Sequence, residues 1–154
     1  MQTSKLVDKQ LRPRAYYISS FQQTSGVVRS FIHTQFTYTI KMKASFIELP
    51  AFQRHREHYM DDATLRNFQS MLLQQPEAGD VMAGTGGLRK ARFIDLRRGK
   101  GKRGGLRVIY YQWVAGRQFW LFTVYDKGEM NDLSAKERAI LATLLQNELE
   151  ARTL

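Results

Sequence analysis

Between Gly84 and Tyr111, alternating apolar positions flank a glycine-rich, strongly basic turn, a pattern that leaves this stretch little choice but a β-hairpin. Ala91 and Phe93 come before the turn and Val108 and Tyr110 after it, at the spacing that sets side chains on one face of a strand. Gly99 to Gly105 supplies a long flexible connection. The same stretch carries Arg89, Lys90, Arg92, Arg97, Arg98, Lys100, Lys102, Arg103 and Arg107 against the single acid Asp95. Cations fixed on a folded ribbon suit a polyanion, and the phosphate backbone of a nucleic acid is the first candidate.

The rest of the chain from Lys43 onward is regular. Ala44 to Leu49 reads as a strand, and Pro50 suits the first turn of a helix running to about Met60. Asp61 or Asp62 caps a second helix, in which Leu65, Phe68 and Leu72 recur at helical spacing before Pro76 ends it. Glu77 to Gly87 is a loop. Three strands follow as a meander: Leu88 to Leu96, Leu106 to Val114 and Gln118 to Tyr125. Ser134 and Glu137 form a capping box ahead of a last helix with an apolar stripe of Ile140, Leu141, Leu144, Leu145 and Leu149. The expected fold is α+β, in the order βααβββα, with an antiparallel sheet and helices packed against it.

Residues 1–41 differ in texture, being rich in Ser, Thr and Gln with scattered aromatics and no sustained period. They read as an N-terminal extension outside the core, either without fixed structure or the product of an upstream start, since Met42 stands just before the first strand. The domain proper is then 42–154. At 154 residues and a net charge of +10, the whole is one domain with an appendage and a preference for acidic partners. The absence of cysteine excludes disulfides, thiolate metal sites and a cysteine nucleophile. No apolar run reaches the ~20 residues of a membrane span, nor does the N-terminus carry a secretory core, so a cytoplasmic protein is expected. His55 and His58 sit three apart, but with only His33 besides them a solvated helix face outweighs a metal site.

If the meander pairs as read, Lys90, Arg92, Arg107 and Lys127 converge on one sheet face. Several fixed cations around a phosphodiester would stabilise the extra charge that develops in its transition state. At this point a resemblance becomes visible: GDVMAGTGGLRKARF, GKGKRGGLRVIYY and FWLFTVYDKGEMNDLS, in that order, resemble the RelE superfamily of toxins from type II toxin–antitoxin systems, specifically its HigB branch.

The resemblance implies a βααβββα fold and a ribosome-dependent endoribonuclease that cuts translated messenger RNA, the RNA's own 2′-hydroxyl attacking the adjacent phosphate. By the same resemblance Lys90 and Arg92 match paired basic positions, Arg107 the arginine that stabilises the transition state, and Lys127 a general acid. Arg89, Arg97, Arg98, Lys100, Lys102, Arg103 and Tyr125 would contact RNA or the ribosome. The implied partners are a helix-turn-helix, HigA-like antitoxin and, for the complex, its operator DNA; no cofactor or metal is implied.

Two departures stand out. Arg92 occupies the place of a base candidate that is lysine in other members, and a guanidinium is a poor base, so Lys90, among cations that disfavour its protonated form, is the better candidate. A tyrosine near the start of the last helix is replaced by Leu133 or Ser134, leaving Tyr125 or ribosomal groups to supply stacking. Without the family, the same charge serves a non-catalytic RNA- or ribosome-binding domain equally well, and a DNA-binding or structural partner protein is a third class.

Overall fold

The computed structural model describes residues 43–95, 97–99, 101, 103 and 105–153, together with the backbone of 14–17. In chain order its elements are β1 (Arg14–Tyr17), β2 (Ser45–Glu48), α1 (Pro50–Tyr59), α2 (Asp62–Gln74), β3 (Asp80–Val81), β4 (Arg89–Phe93), β5 (Leu106–Trp113), β6 (Gln118–Asp126) and α3 (Ala135–Thr153). The fold class is α+β.

Local chemistry sets the helix boundaries. Pro50 opens α1, where its missing N–H would have had no helical partner anyway. The Asp61 carboxylate accepts the Thr64 amide at 2.7 Å and caps α2. Ahead of α3 the Ser134 amide donates to Glu137 Oε2 at 2.7 Å, and the Glu137 amide donates to Ser134 Oγ at 3.2 Å. This reciprocal box is the one read from the sequence.

The strands form one six-stranded sheet in the order β1-β2-β6-β5-β4-β3. The meander of β4, β5 and β6 is antiparallel. β2, however, runs parallel to β6, with Phe46 beside Phe119 and Ile47 beside Trp120, so the sheet is mixed and the expectation of an antiparallel one is corrected. The physical reason lies in the connection. A parallel neighbour needs a long crossover, and α1, α2 and three strands separate β2 from β6.

Two short strands were not anticipated. β3 pairs Asp80 with Lys90 and Val81 with Arg89. Its approach is so close that a Cβ on Gly79, which holds a φ of +84°, would lie 2.3 Å from the Lys90 carbonyl oxygen. β1 runs antiparallel along the outer edge of β2, from Arg14 opposite Glu48 to Tyr17 opposite Ser45. This part of the extension therefore joins the sheet. Residues 1–13 and 18–42, Met42 included, lie outside those described.

Helices cover both faces of the sheet. On one, Phe52 of α1 and Leu65, Phe68 and Leu72 of α2 pack with Phe46, Ala91, Val108, Tyr110 and Val124. On the other, Leu141 and Leu145 of α3 pack with Ile47, Leu88, Ile109, Trp120 and Phe122. The stripe on α3 is narrower than expected: Ile140 and Leu144 remain 49 % and 41 % exposed. Between β5 and β6 the register slips once, Ile109 opposing Thr123 and Tyr110 opposing Leu121, so that Phe122 is an extra, bulged residue. Among the described residues, no helix is long and apolar enough to cross a membrane.

Candidate nucleic-acid interface

Three adjacent strands build a row of side chains at one end of the sheet. Arg92 on β4 stands opposite Arg107 on β5, and Arg107 in turn opposite Tyr125 on β6. Tyr125 belongs to the α3 face, whereas Ala91 and Phe93 face α1 and α2. Strand alternation then puts Lys90 on the same face as Arg92. The register thus brings Lys90, Arg92, Arg107 and Tyr125 together.

Lys90 is half-buried, and its ammonium donates to Asp132 Oδ1 at 3.0 Å. Asp132 lies in the turn between β6 and α3, where the same oxygen accepts the Leu133 amide at 2.8 Å. The hydrogen bond from Lys90, above all, holds the Asp132 carboxyl below its usual range, with the Leu133 amide adding to the effect against partial burial. A setting of cations alone, as expected for Lys90, is corrected by this carboxylate. Sequence reasoning missed it because a lone loop acid 42 residues away has no spacing that links it to a strand lysine.

Arg107 is only 5 % exposed, although a charged strand residue would ordinarily face water. Its guanidinium donates to the carbonyls of Arg103 at 3.0 Å, Leu106 at 3.2 Å and Gly105 at 3.3 Å, and so clasps the base of the hairpin loop. The Gly105 carbonyl also accepts the Lys127 amide at 3.3 Å. Lys127 therefore stands at the same end of the sheet as the row, its side chain exposed and without a partner among the described residues.

Tyr125 is 4 % exposed, and its hydroxyl has no hydrogen-bond partner. Burial pushes the phenol up to about 12; the nearby Asp132 charge adds to the shift and Arg107 opposes it. The nearby acceptor is the Asp132 carboxylate, to which the hydroxyl makes no hydrogen bond of normal geometry. A ring so enclosed offers no face to a nucleobase, which corrects the stacking role expected for it.

The remaining cations divide. Arg92 is exposed, 3.9 Å from an Asp80 carboxylate oxygen, and borders a shallow depression of about 320 Å³ with Met71, Gln75, Ala78 and Gly79. Arg89 turns to the other face and donates to the Glu77 carbonyl at 2.8 Å and the Gly79 carbonyl at 3.1 Å, pinning the loop before β3. Arg97 donates to the His58 carbonyl at 2.7 Å at the end of α1. Arg98 is ion-paired with Asp126 and, at 2.9 Å, with Glu129, which also accepts the Tyr59 hydroxyl at 2.6 Å. These three arginines tie loops and helix ends to the fold, while Arg97 and Arg98 remain exposed. Arg103 is exposed on the hairpin loop; Lys100 and Lys102 lie outside the described residues.

Chemically, the cations open to solvent at this end of the sheet, Arg92, Lys127 and in part Lys90, can hold a phosphodiester against fixed positive charge, with Arg107 and Tyr125 buried behind them. Among the described residues no three His, Asp or Glu side chains converge to hold a metal ion. No family model matches the chain.

Proposed function

We propose that this protein is a ribosome-dependent endoribonuclease toxin of the RelE superfamily, HigB branch, which cleaves translated messenger RNA and is neutralised by a cognate antitoxin. The observation that carries the reading is the cross-strand row of Arg92, Arg107 and Tyr125, with Lys90 on its face and Lys127 at its end. The order β2, α1, α2, β4, β5, β6, α3, interrupted only by the two-residue β3, supports it.

In the reaction the 2′-oxygen forms a bond to the adjacent phosphorus while the bond to the 5′-oxygen breaks. The hydroxyl proton passes to a base, either Lys90 once it has left Asp132 and lost its own proton, or a ribosomal group. Arg92 and Arg107 offset the charge of the phosphorane. Lys127 protonates the departing 5′-oxygen. Cytoplasmic localisation, a helix-turn-helix HigA-like antitoxin and operator binding by the pair belong to the same proposal.

A second reading, an RNA- or ribosome-binding domain without catalysis, is favoured by the inward clasp of Arg107 and the Lys90–Asp132 pair. Primer extension on a translated transcript separates the two. Cleavage that appears only when ribosomes and the full-length chain are both present supports the nuclease; ribosome association with an intact transcript supports the binder.

A further inference from the structure

The resting site contains its own anion. Asp132 occupies the position against the Lys90 ammonium that an incoming phosphate oxygen would take, at 3.0 Å. Beside it the Tyr125 hydroxyl is buried and within the influence of the same carboxylate, yet makes no hydrogen bond of normal geometry to it. A buried donor left unpaired is costly, so its persistence calls for an acceptor in some other state of the site. Asp132 is well suited to be that acceptor. It is 53 % exposed at its side chain and sits in a turn, and its backbone link to β6 and α3 does not depend on Lys90.

Resting on the reading of this face as an RNA site, we infer that Asp132 is a positioning residue: it holds the Lys90 ammonium until an RNA phosphate displaces it, and its carboxylate then accepts the Tyr125 hydroxyl. The exchange keeps every charge partnered. Lys90 passes from carboxylate to phosphate, and Asp132 turns from an ammonium to a neutral phenol, away from the phosphate that would repel it. The ion pair sets the threshold for RNA entry, and the phenol stabilises the open arrangement. Arg107, adjacent to Tyr125 in the register, lies on the path of the same rearrangement.

The test uses the full-length protein and a short fluorescein-labelled single-stranded RNA whose 2′-oxygens are methylated, so that binding is read without cleavage. Asp132→Asn keeps an acceptor for the Leu133 amide but removes the charge that competes for Lys90. An exposed pair of this kind is weak, so affinity should rise on the order of threefold. One more cation becomes available to phosphate, and the slope of log affinity against log salt should steepen by about 0.7. In a Lys90→Ala background the same substitution should give neither change. Tyr125→Phe should leave the thermal midpoint of the free protein level or raised, because no hydrogen bond of normal geometry is lost, and should weaken RNA binding.

Unchanged affinity and slope in Asp132→Asn, or an equal gain without Lys90, overturns the positioning role while leaving wild-type cleavage of translated transcripts untouched. Wild-type protein that neither binds the probe nor cleaves a translated transcript overturns the underlying reading of the face as well.

Discussion

Arg92 and Arg107 form a direct cross-strand pair, two guanidinium-bearing residues of β4 and β5 set opposite each other on one face of the sheet. Like charges so placed repel, typically by a few tenths of a kcal/mol up to ~1 kcal/mol. Arg92→Gln relieves that repulsion and gives up the exposed, 3.9 Å contact with Asp80, so stability at low ionic strength should change by no more than about 0.5 kcal/mol, a difference that salt erases. Polyanions should raise the Tm of the wild type more than that of the variant, as thermal melts with and without a short RNA would register.

Arg107 and Lys127 both meet the Gly105 carbonyl, one through its guanidinium and the other through its amide, yet their side chains answer to different demands. Arg107→Ala removes the three donations to loop carbonyls and should cost about 2 kcal/mol in urea unfolding, besides abolishing cleavage. Lys127→Ala touches an exposed side chain and should leave the unfolding midpoint unchanged. If Lys127 protonates the departing oxygen, cleavage of a translated transcript should fall about 100-fold. A Lys127→Ala protein that cleaves at the wild-type rate removes it from the mechanism.

Gly79 is required by two independent constraints, a φ of +84° and the Lys90 carbonyl oxygen 2.3 Å from where a Cβ would stand. Gly79→Ala should cost about 2 kcal/mol or more, because the obstacle is backbone and cannot rotate away. Hydrogen exchange should show the loss first at the amides of β3 and the start of β4, before any global change.

Stability should fail at both extremes of pH for opposite reasons. Burial pushes Tyr110 and Tyr125 up to about 12 from an ordinary 10.0. Phenols that keep their protons longer in the folded chain contribute fully below the unfolded value, and that contribution drains away as pH climbs from 10.0 toward about 12. Asp132 is displaced the other way, so its contribution is complete above the ordinary carboxylate range and disappears as pH falls through its lower folded value. The Tm should hold level between these windows. Tyrosinate absorbance from the buried pair should appear together with alkaline unfolding; full ionisation in the native protein would contradict the assignment.

Signals carried by neighbouring residues were legible in the chain. Pro50, the Asp61 cap and the Ser134–Glu137 box mark helix starts because capping is settled within a few residues. The alternation around Ala91 and Val108 gave the hairpin, and with it the shared strand face of Lys90, Arg92 and Arg107, though not the separate partners to which their side chains turn. Relations between distant segments were not legible. Nothing local tells β2 to run beside β6 in the same direction, and a strand of two residues such as β3 has no period to detect. The same limit hid Asp132. Arg107 misled in another way: a charged residue in an alternating strand reads as outward, whereas loop carbonyls supplied the partners that let it turn in. The exposure of Ile140 and Leu144 reflects a helix that touches the sheet along one edge only.

The extra residue at Phe122 decides which side of the sheet the phenol occupies. Trp120 and Phe122 both face α3, and strict alternation from them would have sent Val124 to that side and Tyr125 to the opposite one. The slip in register inverts the phase of everything after it, so Val124 joins α1 and α2 while Tyr125 arrives beside Arg107. The same chain paired without the bulge would carry its terminal segment inside out, leaving the sheet intact and the chemistry on the wrong side of it, whereas deleting Phe122 would give a regular ladder with Tyr125 still opposite Arg107.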